Sequence, residues 1–287
     1  MHGLLSHGAN ANSENFQGEN ALHLLSRFGG ECDSQEDGVS IAQELLVRGV
    51  DVNAQCKRHR TPLHLASYHG RSAIARVLLD HGAKPNAEDD NGETPLHLLS
   101  QGKDYSHEDG VRVARLLIAC GANINARDME HRTPLHHASY NGILAIARVL
   151  LEHGGKPNVG DKNSKTPLHL AVRGKYVNFT GFYDSSIDLT RVLLKHGADV
   201  DAQDDDHKTP LDLSGWANIT KILREHSAKF LYLRHVDVEH SDAGKTRESS
   251  HTEDLSPEVP NKRIRLDPSN NFAEVRGENS PNDRMEL

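Results

Sequence analysis

With 287 residues, a formal net charge of −8 and 26% charged side chains, the chain has the composition of a soluble intracellular protein and lacks the basic balance of a nucleic-acid binder. It contains no run of 18 apolar residues and no charged-then-apolar leader, so neither a membrane span nor a signal peptide is expected. Three scattered cysteines, Cys32, Cys56 and Cys120, read as free thiols of a reducing compartment.

The first segment, Leu4-Leu5-Ser6-His7-Gly8-Ala9, parallels Leu78-Leu79-Asp80-His81-Gly82-Ala83 and so reads as the close of an outer helix whose inner partner is absent. A partial repeat is expected there, from a longer protein or with its open end covered by something else. Asn20-Ala21-Leu22-His23 then begins a series that continues with Thr-Pro-Leu-His at Thr61, Thr94, Thr133 and Thr166 and closes with Thr209-Pro210-Leu211-Asp212. A threonine hydroxyl can accept from a first-turn amide, and the following proline needs no amide partner and has its φ set for a helix, so each copy predicts a helix start. After Thr61, the residues Leu63, Leu65 and Ala66 predict a short inner helix that Gly70 breaks. Ile74, Ala75, Val77, Leu78 and Leu79 predict an outer helix that Gly82 ends. Pro85 and Asp89-Asp90-Asn91-Gly92 are turn chemistry and predict a reversing hairpin before the next copy. An Asn or Asp also stands eight residues before each next copy.

Two helices of about ten residues each are marginal in water, so stacking of the units is obligatory. The small residues Ala66, Ala138 and Ala171 at equivalent inner positions predict close approach, and Leu78→Ala is expected to cost about 2–5 kcal/mol. The starts at 20, 61, 94, 133, 166 and 209 are 41, 33, 39, 33 and 43 residues apart. The three expansions, at Arg27 to Ser40, Gln101 to Gly110 and Arg173 to Ser186, fall between the two helices of a repeat and are expected on the edge opposite the hairpin tips. The position two before each start reads Gly18, His59, Gly92, His131, Ser164 and His207, and a positive φ is predicted there.

The last repeat is shortened, and Ser227 replaces its terminal glycine, so its helix is expected to run on through Phe230 and Leu233 as a cap. From about Arg234 apolar residues thin out, and residues 234–287 are expected to form a disordered polar tail. Its Lys262, Arg263 and Arg265 make a short basic run of nuclear-import type, or else a solvated charge cluster. Catalytic motifs fail: Gly244-Lys245-Thr246 lacks the earlier glycine of a phosphate loop, and His107-Glu108 lacks a second histidine because Val111 stands in its place. His64, His97, His136 and His169 belong to the helix-start motif, and His235, Asp237, Glu239 and His240 are mobile candidates at best, so no catalytic site, cofactor or metal is expected.

Thr-Pro-Leu-His at a period near 33 residues resembles the ankyrin repeat, and the resemblance runs from about Leu4 to His226. It implies an all-α fold with short β-hairpin turns, a solenoid of stacked helix-turn-helix units over 1–233 whose repeats start near 17, 58, 91, 130, 163 and 206. It also implies histidines that hydrogen-bond within and between repeats. The implied function is non-enzymatic binding of another protein through hairpin tips and the concave inner-helix face, with no nucleic acid and no membrane insertion.

The matching tip positions are Lys57, Arg58, Arg60, Asp90, Asn91, Met129, Glu130, Arg132, Lys162 and Asn163, and the inner-helix positions are Tyr68, His69, Tyr140, Asn141 and Trp216. Tyr68 and Tyr140, with Arg60 and Arg132 matched beside them, form a patch expected to favour an acidic partner segment. Trp216 is also a candidate for closing the core of the shortened last repeat. An alternative binding loop gathers Tyr176, Phe179, Phe182 and Tyr183 on the expanded edge. The alternative function is the regulatory or targeting portion of a larger enzyme or signalling protein.

Overall fold

The computed structural model describes residues 10–28, 35–102, 107–173 and 183–227. The chain divides into two compact units, Met1–Glu239 and His240–Leu287, and every described residue belongs to the first. Helices come in inner–outer pairs: α1 (Ala21–Phe28) with α2 (Gln35–Val47), α3 (Pro62–Tyr68) with α4 (Ser72–Asp80), and α5 (Pro95–Leu99) with α6 (His107–Ala119). These are followed by α7 (Pro134–Asn141) with α8 (Leu144–Glu152) and α9 (Pro167–Arg173) with α10 (Tyr183–Lys195). The short α11 (Pro210–Leu213) is followed by helical residues 217–227. Each inner helix packs on the next inner helix, and from α2 to α10 each outer helix packs on the next outer one. We number these pairs as repeats one to six.

The seam of the stack is apolar. Leu63, Leu78, Leu96, Leu150 and Leu168 are fully buried, as are Ala66 and Ala138, with Ala171 at 1% exposure, so the small inner residues do admit close packing. Each outer helix from α2 to α10 ends in a glycine at positive φ, Gly82 at 86° for instance. The amide after that glycine bonds back into the last turn, as in Ala83 to Leu78 at 2.9 Å and Gly155 to Leu150 at 2.8 Å.

The asparagine eight residues before each motif is a clamp between neighbours. Asn125 donates from Nδ2 to the Gly154 carbonyl at 3.1 Å and accepts from the Lys156 amide at 2.9 Å. Asn53, Asn86 and Asn158 do the same for the turns after Gly82, Gly121 and Gly197. Asn125→Ala removes two bonds that join repeats three and four and is expected to cost about 1–2 kcal/mol. Urea titration should show a lower midpoint at unchanged slope; an unchanged midpoint would make the clamp energetically idle.

The connections are hydrogen-bonded turns, with no strand among the described residues, so the expected hairpins are hairpin-like reversals without a β-ladder. In each, a base residue bonds across the turn, Asp89 to Glu93 at 3.0 Å and Asp128 to Arg132 at 2.9 Å. Where the base is Asp89, Asp128, Asp161 or Asp204, its carboxylate also accepts two more amides, those of Asn91 and Glu93 or of Glu130 and Arg132, for instance. All six positions expected at positive φ have it, from 53° at His59 to 71° at Gly18. At Gly92 an added Cβ would stand 3.2 Å from the Met129 amide, because the next tip stacks directly there. Successive tips are joined by one main-chain bond each, Lys57 to Gln17, Asp90 to Arg58, Met129 to Asn91, Lys162 to Glu130 and Asp205 to Asn163.

Candidate protein-binding surface

The helix-start histidines set the frame of the surface. Thr61 donates its amide to His64 Nδ1 at 3.0 Å, its hydroxyl lies 2.9 Å from the same nitrogen, and Nε2 donates to the Glu93 carbonyl of the next repeat at 3.0 Å. The arrangement recurs at His97, His136 and His169, whose Nε2 atoms reach the Arg132, Lys165 and Lys208 carbonyls. The ring is thus neutral with its proton on Nε2, and burial holds His64, His97 and His136 down at about 4 against an ordinary value of 6.5. Here the structure adds a histidine partner to the capping threonine. At Thr61, Thr94 and Thr133 the threonine side chain and the N3 histidine form a reciprocal capping box, the hydroxyl also lying 2.9 Å from Nδ1, and at Thr209, where Asp212 replaces the histidine, the hydroxyl accepts the Asp212 amide at 3.2 Å.

In repeats one and three this frame brings the residue before the start next to the seventh residue after it. Glu19 pairs with Arg27 at 2.5 Å, and Glu93 accepts from the Gln101 amide. Arg60 reaches across repeats to Asp89 at 2.9 Å and Glu93 at 3.4 Å and is largely covered. Arg60 is therefore an internal tie, which changes its expected part in a positive rim. Arg132 keeps a longer contact, 3.6 Å to Asp161, with its side chain 37% exposed.

The remaining predicted residues separate by exposure. Lys57, Arg58, Asp90, Asn91, Glu130, Lys162 and Asn163 are exposed on the tips, with Met129 61% exposed. Asp90 is bonded to His59, and Lys162 lies 3.3 Å from Glu130. On the inner helices Tyr140 is 39% exposed, whereas Tyr68 is half-buried and meets His69 edge-on at 5.0 Å. Asn141 is half-buried and ties α7 to the Ser100 carbonyl at 3.4 Å. Trp216 packs against the core, in keeping with a closing role in the short last repeat. Tyr176, Phe179 and Phe182 of the alternative loop, and Lys262, Arg263 and Arg265, lie outside the described residues; Tyr183 begins α10.

Sequence reasoning missed His137. Every other repeat carries leucine at that position, Leu24, Leu65, Leu98, Leu170 and Leu213, and that single departure was the available signal. His137 Nε2 donates to Asp128 Oδ2 at 2.8 Å, its ring meets His97 edge-on at 5.6 Å, and the Gln101 amide lies 3.3 Å from Nδ1. Donor atoms of Glu93, Asp128 and His137 lie within 4.8 Å of one another and are the described residues best placed to hold a metal ion. Their hydrogen bonds to one another and to Gln101 satisfy them internally, and the cluster bridges repeats three and four. The Asp128 carboxyl is held below its ordinary range by the His137 bond and the Arg132 amide, which outweigh its burial.

The family model for ankyrin repeats in three copies matches residues 33–128 and 105–182, and the single ankyrin-repeat model matches 163–205. Comparison with curated protein sequences finds no match. The human ASB11 ankyrin repeat domain is similar in structure, with a TM-score of 0.64 at 24% identity over 78% of this chain and 90% of that one. No helix among the described residues is long and apolar enough to cross a membrane.

Proposed function

Since the chain belongs to the ankyrin-repeat family, whose domains are typically non-catalytic binding modules, we propose that it is a non-enzymatic scaffold that binds another protein through its tips and inner-helix face. In this reading the array occupies 1–233 and carries no catalytic residue of its own. The observation that supports it best is Tyr140, an aromatic 39% exposed at the C-terminal end of α7, in the same repeat as the open tip residue Met129. Tyr and Arg concentrate interface energy because they bury large area at low entropic cost, and an aromatic left open between polar neighbours has no role in the stack. Tyr68 stands at the same helix position two repeats earlier and supplies a second, shallower anchor.

The experiment is affinity capture of a partner with the full chain, followed by titration of that partner against variants. Tyr68→Ala with Tyr140→Ala is expected to lose at least about 1 kcal/mol of binding, a factor of five or more, with little change in thermal midpoint. Binding that survives this pair and collapses on Phe179→Ala with Phe182→Ala would move the site to the expanded edge.

A further inference from the structure

The residues that precede the six starts read Glu19, Arg60, Glu93, Arg132, Lys165 and Lys208. In repeats one to three the signs alternate and the charges consume one another, through Glu19 with Arg27 and Arg60 with Asp89 and Glu93. In repeats four to six the row is entirely cationic, and like charges cannot pair. We infer that the inner-helix face of repeats four to six receives an extended acidic peptide segment of the partner, whose carboxylates meet Arg132, Lys165, Arg173 and Lys208. This rests on the reading that the inner-helix face binds protein.

The repeat's own geometry places these groups together. The Arg60–Glu93 contact at 3.4 Å shows that side chains at this position meet across successive repeats, so Arg132, Lys165 and Lys208 follow one another along the face. The Glu19–Arg27 and Glu93–Gln101 contacts show that this position meets the seventh residue after the start, which sets exposed Arg173 beside Lys165. No ion pair of Lys165, Arg173 or Lys208 forms among the described residues. The nearby carboxylates offset the row only in part: Asp161 lies 3.6 Å from Arg132, and Asp204 and Asp212 attract Lys165 and Lys208 without an ion pair, since Asp161 and Asp204 each accept two backbone amides and Asp212 caps Thr209. Tyr140 stands at the seventh position of repeat four, at the start of the row.

Inner helices pack roughly 10 Å apart, so the three tip cations span about 20 Å, the reach of about six extended residues. Intermittent carboxylates suit that spacing, whereas the unbroken charge of a nucleic acid would also meet Asp205 and Asp206 on the last tip and a chain of net charge −8.

The test is fluorescence anisotropy with the full chain and a labelled twelve-residue alternating Glu-Ser peptide, an alternating Lys-Ser peptide and a twelve-nucleotide single-stranded RNA. The Glu-Ser peptide should bind and the other two should not. Lys165→Glu, Arg173→Glu and Lys208→Glu together should weaken binding at least tenfold, and the corresponding glutamine set by less. The charge-matched Arg76→Glu, Lys84→Glu and Arg148→Glu set, exposed and outside the tips and inner helices, should leave binding within twofold. Absence of Glu-Ser binding, equal losses in the two reversal sets, or preference for RNA would overturn the inference. If a captured partner is lost with Tyr68→Ala and Tyr140→Ala but indifferent to the cation set, the scaffold reading stands and this inference falls.

Discussion

Acidification from about pH 7.5 to pH 4.5 is expected to unfold the array well before most carboxylates titrate. His64, His97 and His136 have folded values lowered to about 4 by burial, and His23 is lowered for the same reason, whereas an unfolded histidine titrates near 6.5. Above 6.5 both states are neutral and no stability is lost. Between 6.5 and 4 the unfolded chain binds protons that the folded array refuses, so stability falls with pH; below 4 both states are protonated and this loss levels off. Each histidine contributes a slope of up to about 1.4 kcal/mol per pH unit, so the three together approach about 4 kcal/mol per unit, against a total stability on the order of 5–15 kcal/mol. Urea midpoints measured at half-unit steps should begin to fall below pH 6.5 and fail near pH 5. His64→Gln should be less stable at neutral pH yet show a shallower pH slope. A midpoint flat down to pH 5 would mean that these rings are not held neutral by the fold.

The other large effect is the loss of a seam leucine. Leu78 in α4 is fully buried, and Leu78→Ala is expected to cost about 2–5 kcal/mol, the range reflecting how far neighbours collapse into the space. Leu79, only partly buried at the adjacent position, should lose distinctly less on the same truncation. Because each repeat contacts only its neighbours, hydrogen exchange in Leu78→Ala should rise most in repeats one to three and least in repeat five. A uniform rise across the array would show that it unfolds as a single cooperative block.

What the sequence disclosed, it disclosed by repetition. The positive-φ position was legible at Gly18, His59, Gly92, His131, Ser164 and His207 because six aligned residues share one steric demand, and the inner alanines were legible for the same reason. The asparagine before each motif was visible as a period, though only the fold shows that its amide spans the following turn. Features that occur once were not readable. The lock around His137 joins residues 9, 36 and 44 positions away, and the sequence offered only a histidine in a leucine row. Arg60 looked free because its partners Asp89 and Glu93 belong to the next repeat, and a charge count along the chain does not reveal which cations are already committed. The threonine caps were legible in the motif, but the buried imidazole Nδ1 2.9 Å from the hydroxyl was not, because propensity describes only an average helix start.

The register of one tip on the next is set by one peptide-to-peptide bond each: Met129 N–H to Asn91 C=O, Lys162 N–H to Glu130 C=O and their counterparts. The side chains at those same positions are exposed, and those bonds do not use them, the Lys162–Glu130 pair being an exposed addition to the join. A lineage can therefore rewrite Met129, Glu130, Lys162 or Asn163 without touching the bonds that register one unit on the next, and recognition can drift while the architecture stays fixed. Such a surface is free to acquire a new target in single steps, each tolerated by the fold before it is useful.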